Sequence, residues 1–157
     1  ICIMGCTISK ALKTDKKPEN KKLSVYVPIL EDITVIKVYD GDTITVSAKV
    51  KGDPLSPKYY KWSVRFRGID TPEIKAKTKD EKEAAIIARD ALSNKILNKK
   101  ILLEDVNYDK YGRLLANVYL NTLCLNTWML NNKYGVKYDG GTKHTPVSWI
   151  EYQNVTV

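Results

Sequence analysis

The sequence predicts a small β-barrel of five strands carrying two to three α-helices, an α+β fold in a single domain. Two β-branched runs, Ile33 to Tyr39 and Thr43 to Val50, flank Asp40-Gly41-Asp42, and an Asp-Gly pair between such runs is a strong hairpin signal. The run Tyr60 to Arg67 alternates apolar and polar residues, the period of a half-buried strand. One long helical period lies between this third strand and two later ones, an order that suits a curled sheet with a helix at one end. The 157 residues hold one domain at roughly 100 to 200 residues per domain, and the 43% hydrophobic content supplies its core.

Each element has its own justification. Lys51 to Pro57 is a loop by its Gly and Pro content. In the third strand Tyr60, Trp62, Val64 and Phe66 face one way, and Lys61, Ser63, Arg65 and Arg67 make a basic face on the other. Gly68 then interrupts the alternation and marks a bulge or a close backbone approach. Thr78-x-x-Glu81 is a capping-box signature. Behind it Ala84, Ala88, Ala91, Leu92 and Ile96 recur at spacings of three and four, which predicts a helix from about Asp80 to Leu97, stopped at Asn98. Ile101 to Val106 and Leu114 to Leu120 read as the fourth and fifth strands, joined through residues 107–112. Asn121-Thr122 offers a turn, and Leu125 to Tyr134 a second, short helix. A helix between the third and fourth of five strands describes an OB-fold barrel. Trp62, Trp128 and Trp149 are expected to pack, and Cys124, between two leucines, to behave as a buried small hydrophobe.

Composition narrows the chemistry. One histidine, His144, excludes two-histidine acid–base nucleases, multi-histidine zinc hydrolases and HExxH peptidases. Cys2, Cys6 and Cys124 form neither a CxxC pair nor an even disulfide framework, so a metal would be held by oxygen. Half of the net charge of +8 sits in the N-terminal segment, where six lysines from Lys10 to Lys22 face only Asp15 and Glu19. The +4 that remains permits a polyanionic partner without demanding one. No run of 18 apolar residues offers a membrane-spanning helix.

Two clusters carry chemistry. Asp40-Gly41-Asp42-Thr43 puts carboxylates on a turn, and Asp70-Thr71-Pro72-Glu73 puts two more just after a strand. Hard divalent cations, calcium above all, take several oxygen ligands from carboxylates, carbonyls and water. Each cluster alone is more often an ordinary turn, in which Asp and Gly serve backbone geometry. Arg65 and Arg113 change the balance, because a guanidinium is the side chain best shaped for bidentate contact with phosphate. Together these are the parts for metal-assisted phosphodiester hydrolysis.

At this point the residues resemble the staphylococcal nuclease (thermonuclease) family. Val38-Tyr39-Asp40-Gly41-Asp42-Thr43 resembles its first signature, Arg65 to Glu73 (RFRGIDTPE) its second, and Asp109-Lys110-Tyr111-Gly112-Arg113 its third, in order and at compatible spacing over residues 33–141. The resemblance implies an OB-fold barrel and calcium-dependent cleavage of DNA and RNA that leaves 3′-phosphate ends. It further implies Asp42 and Asp70 as carboxylate ligands of Ca2+, with the Thr71 carbonyl as a third. Glu73 would orient or deprotonate the attacking water, and Arg65 and Arg113 would bind the scissile phosphate. Tyr111, Tyr138 and Lys110 would line the substrate site, although Tyr138 also reads as a loop aromatic over the core and Lys110 as a solvated lysine. The Tyr138-Asp139-Gly140-Gly141 stretch is closer to the plant-type or large-DNA-virus branches than to the secreted form. The rival reading is an OB-fold module that binds nucleic acid or peptide without catalysis. Retention of Asp42, Arg65, Asp70, Glu73 and Arg113 together favours the enzyme.

The chain divides by composition into a basic, non-globular leader 1–31, a nuclease-like domain 32–145 and an extension 146–157. Met4-Gly5-Cys6-Thr7-Ile8-Ser9 fits an N-myristoylation pattern if translation starts at Met4. Gly5 and Cys6 would then carry two acyl chains and, with the lysines, anchor the protein to a membrane surface. Ile3 to Cys6 equally resembles the end of a bacterial lipoprotein signal, and a solvated leader of no consequence is the third reading. A third functional class, a membrane-tethered interaction domain, rests on this segment alone. Localisation is thus expected at a membrane, or otherwise secreted or cytoplasmic. A monomer is expected, with no protein partner.

Overall fold

A computed structural model describes residues 24–55 and 58–154. The possible acylation residues Gly5 and Cys6 and the lysines up to Lys22 lie outside them. Strands β1 (Leu30–Val38), β2 (Thr43–Val50) and β3 (Tyr60–Phe66) form an antiparallel meander, followed by the short β4 (Ile69–Asp70) and helix α1 (Lys79–Ile96). Then come β5 (Leu102–Tyr108), β6 (Leu114–Leu120), β7 (Leu123–Cys124), α2 (Leu125–Asn131), β8 (Val136–Lys137) and α3 (Trp149–Asn154). The main sheet runs β1-β2-β3-β6-β5, with β3 and β6 parallel. Its ends curl toward each other. The Val35 N–H donates to the Lys99 carbonyl at 3.0 Å, and the Ile101 N–H to the Ile33 carbonyl at 3.0 Å, so the residues ahead of β5 return to β1. This curled mixed half-barrel with three helices is the α+β OB arrangement expected.

The core follows from the alternation. Val35, Ile44, Val46, Val64, Phe66, Leu114, Ala116 and Val118 point inward, and Ala88, Leu92 and Ile96 of α1 cover one end of the sheet. On α1 Ala85 takes the buried place expected of Ala91, which is half-buried. Only half of the expected capping box forms. The Glu81 N–H donates to Thr78 Oγ1 at 3.3 Å, but the Glu81 carboxylate accepts from the Glu73 N–H at 3.2 Å, which ties the helix start to the loop after β4. Gly68 sits at φ 75°, and a side chain there would meet nothing. The turn therefore needs its backbone freedom rather than a close approach.

Cys124 and the start of β1 differ in setting from the sequence expectation, while Trp149 agrees with it. Cys124 is only half-buried and precedes α2 as its N-cap residue. β1 starts at Leu30, and the Lys51 N–H donates to the Ile29 carbonyl at 2.9 Å, so residues placed in the leader complete the sheet. Trp149 is buried on α3, within the C-terminal extension, as packing requires. Asp80 at the start of α1 holds that helix, accepting from Ser148 Oγ at 2.7 Å and from the Trp149 N–H at 2.8 Å.

Candidate active site

The β1–β2 turn, the segment from β4 to Glu73, the β5–β6 loop and the chain after β8 converge on one cleft of about 690 Å³. Asp42, Arg65, Asp70, Thr71, Glu73, Lys110, Tyr111, Arg113 and Tyr138 all line it, so all nine residues singled out within the domain come together. Gly5 and Cys6, outside the described residues, are not placed.

Pairing of β2 with β3 sets Thr43 opposite Arg65, and the Phe66 N–H donates to the Asp42 carbonyl at 2.8 Å. That register brings the Arg65 guanidinium to the Asp42 carboxylate through Nη1, while Nη2 reaches Asp70 Oδ1 at 3.2 Å and the Ile69 carbonyl at 3.1 Å. Asp42 and Asp70 are each only 4% exposed. Asp42 also accepts from Thr43 Oγ1 at 3.0 Å and from the Thr71 N–H at 3.2 Å, which locks the first cluster onto the second. The close approach of these segments depends on two glycines. A Cβ on Gly135 would lie 2.8 Å from the Asp70 carbonyl oxygen and 2.9 Å from Thr71 Cγ2, and one on Gly41 would lie 3.0 Å from Thr71 Cβ.

The electrostatics are dominated by crowded acid. Burial and the neighbouring Asp42 carboxylate push the Asp40 carboxyl up to about 7. Two more buried carboxylates, Asp42 and Asp70, share the Arg65 guanidinium, and Asp70 also pairs with Lys143. The carboxylates that meet here, Asp42 and Asp70, offer hard oxygen atoms. Among the described residues no group of three or more His, Cys, Asp and Glu side chains is gathered as for a metal ion. Asp42 and Asp70 supply two carboxylates, so a hard cation held between them would need further oxygen ligands from backbone or water.

Across the cleft Arg113 is positioned by Asp109. Its Nε donates to Asp109 Oδ2 at 2.7 Å, while Asp109 Oδ1 accepts from the N–H groups of Tyr111 at 2.8 Å and Arg113 at 2.9 Å. Burial alone would raise the Asp109 carboxyl, but these bonds hold it below the usual carboxylate range. Arg113 Nη1 reaches Thr43 Oγ1 at 3.5 Å, beside Asp42. Tyr111 is 72% exposed on the rim, with the Lys110 ammonium 5.1 Å from its ring centre. Tyr138 is anchored by its N–H to the Gly68 carbonyl at 3.0 Å.

Glu73 extends from the loop after Asp70 with its side chain 63% exposed, and Lys143 pairs with it at 3.2 Å and with Asp70 Oδ1 at 3.1 Å. Sequence reasoning assigned no role to Asp40, Asp109, Gly135 or Lys143. Asp109 had a readable signal, an acid four residues before an arginine across a glycine turn. Lys143 had none, since its partner Glu73 is 70 residues away in the chain.

Comparison with known proteins follows the same lines. A family model described as staphylococcal nuclease homologue matches residues 63–146. An uncharacterized protein of Methanocaldococcus jannaschii is 32% identical over 107 residues, 55% of this chain and 47% of that protein. A probable endonuclease of Schizosaccharomyces pombe is 39% identical over 56 residues, 36% of this chain and 24% of its own length. A probable staphylococcal-like nuclease of Oryza sativa subsp. japonica is 33% identical over 72 residues, 46% and 18% of the two chains. The chain spans less than half the length of these curated relatives. The matched segment covers more than half of the sequence and carries Arg65 on β3, Asp70 on β4, and Glu73 and Arg113 on the loops that border the cleft, and by that match the chain belongs to the staphylococcal nuclease family.

Proposed function

We propose that the protein is a calcium-dependent endonuclease that hydrolyses phosphodiester bonds of DNA and RNA and leaves 3′-phosphate ends. The observation that carries this reading is the meeting of two buried carboxylates, Asp42 and Asp70, with Arg65, Arg113 and Glu73 in one cleft large enough for a nucleotide. Calcium would be held by Asp42, Asp70 and the Thr71 carbonyl. When bound there it supplies positive charge to the phosphate oxygens as the transition state gathers negative charge.

The chain's own residues carry the rest. Arg113, fixed by Asp109 and directed across the cleft, binds an oxygen of the scissile phosphate. Arg65, whose guanidinium bridges Asp42 and Asp70, turns its remaining N–H donors to the phosphate. Glu73, exposed at the cleft edge, orients the attacking water and accepts its proton; the new P–O bond forms as the bond to the 5′-oxygen breaks, and that oxygen takes a proton from solvent water to leave as a hydroxyl. Tyr111 and Tyr138 offer ring faces to the bases, a sequence-tolerant contact that favours unpaired strands. Digestion of plasmid and of RNA with calcium, with excess chelator and with zinc tests the proposal. Cleavage only with calcium, with 3′-phosphate ends by end-labelling, is expected; full activity in chelator or 5′-phosphate ends would sink it.

The second reading, a binding module without catalysis, predicts nucleic-acid retention with no cleavage under any of these conditions. The buried and geometrically linked Asp42, Arg65 and Asp70 favour the enzyme.

A further inference from the structure

Lys143 stands on the segment between β8 and α3, whose two ends are fixed. Tyr138 is tied to Gly68 at one end, and Ser148 and Trp149 are tied to Asp80 at the other. Between them residues 139–145 are all exposed and contribute nothing to the core. The segment nevertheless places the Lys143 ammonium 3.1 Å from Asp70 Oδ1 and 3.2 Å from Glu73 Oε1. It thus lies between a buried carboxylate and an exposed one, within the cleft that Arg65 and Arg113 line.

An ammonium within hydrogen-bond distance of two carboxylates occupies the same negative potential that would draw a divalent cation. Its own hold is modest. The side chain is 46% exposed, and ion pairs at such positions are worth little individually. A divalent cation that engages Asp70 therefore competes with an ammonium that the chain can release without disturbing packed structure. Once released, the ammonium remains tethered at the rim of a cleft that takes a polyanion.

We propose that Lys143 is a displaceable counter-ion of the site: it neutralises Asp70 and Glu73 while the cation is absent, yields Asp70 when calcium binds, and then contacts a phosphate of the substrate. This rests on the calcium-dependent nuclease reading above and adds a substrate-binding residue to it.

The test is calorimetric titration of calcium into the full chain and into Lys143→Met, which keeps length and removes charge, followed by steady-state cleavage of a single-stranded oligonucleotide at saturating calcium. Lys143→Met should bind calcium about tenfold more tightly, the scale of two partly exposed ion pairs, and should raise KM about tenfold with kcat within about threefold, as loss of uniform binding does. Lys75→Met, which removes a charge from the same cleft without touching the carboxylates in this way, should leave calcium affinity within about twofold. Equal calcium affinity in the full chain and Lys143→Met overturns the inference while leaving the nuclease reading intact. A full chain that takes up no calcium and cleaves without it overturns both, so the two failures are distinguishable.

Discussion

Replacing Arg65 with alanine separates the structural and chemical duties of the site. Its guanidinium, with a side chain 14% exposed, is the cation shared by Asp42 and Asp70. Removing one member of a buried ion pair leaves uncompensated charge and costs roughly 3–5 kcal/mol. The cleft admits water to this pair, so the lower end applies, about 3 kcal/mol. At roughly 2–4 °C per kcal/mol for a chain of this size, Tm should fall by about 6–12 °C. Loss of a preorganised charge donor should also cut kcat by about 10²- to 10³-fold. Calcium discriminates the two effects, because a cation at Asp42 and Asp70 restores their neutralisation without restoring the donor. Thermal melts with and without calcium should thus show most of the Tm loss recovered, while turnover stays low. The contrast is Arg67→Ala. Arg67 Nη2 donates to the carbonyls of Asp105 at 2.6 Å and Leu115 at 3.3 Å, on the β5–β6 side. That substitution should lower stability but leave kcat within about threefold, since Arg67 makes no contact with the carboxylates. A rate loss for Arg67→Ala equal to that of Arg65→Ala, or an Arg65→Ala protein with unchanged Tm in chelator, would refute the assignment of the two arginines.

Gly135→Ala should force Cβ against the Asp70 carbonyl, costing about 1–3 kcal/mol as overpacking does and lowering kcat with it; a melt and a rate measurement check both, and an unchanged protein would show that the close approach is not required. Asp109→Ala releases Arg113 and the β5–β6 loop, and should lower kcat by up to about 10²-fold, the cost of misplacing a reacting group by about 1 Å. Glu73→Gln should lose at least about 10²-fold in kcat at unchanged Tm, read by cleavage and calorimetry, if the carboxylate handles the proton of water. The Ser148 hydroxyl bond, opposed by slight burial and aided by the Trp149 N–H, lowers the Asp80 carboxyl below its ordinary 3.8. The stabilisation it lends is present above pH 3.8 and is lost as pH falls through the lowered folded value. Tryptophan fluorescence should report α3 leaving α1 in that acid range, and Asp80→Ala should abolish the transition.

Local pattern was enough for the five long strands in chain order, whereas the two-residue strands β4, β7 and β8 are too short to show a period. The spacing of Val64 and Phe66 against Arg65 determines which side of β3 meets the core, because successive side chains point to opposite faces. Asp-Gly at 40–41 is a turn in any context, and the period from Ala84 to Ile96 is helical in any context. Helix α3 was not read from the sequence, although Ser148-x-x-Glu151 has the spacing of Thr78-x-x-Glu81 and the Glu151 N–H donates to Ser148 Oγ at 3.1 Å. The residues that gather in the cleft were recognisable as motifs, each alone compatible with an ordinary turn.

What the sequence by itself determined, then, is the fold class, the Asp-Gly turn and the identity of the three acid- and arginine-bearing segments, because these depend on neighbours two to five residues apart. Only the tertiary structure decided that Arg65 bridges both carboxylates, that Asp40 shares their potential, that Gly135 lets the chain touch the Asp70 backbone, and that Lys143 reaches Glu73. Those relations join residues far apart in the chain. They are set by how β3 lies along β6 and how the segment after β8 folds back over the cleft, and charge and burial at a point in space carry no signature in local order.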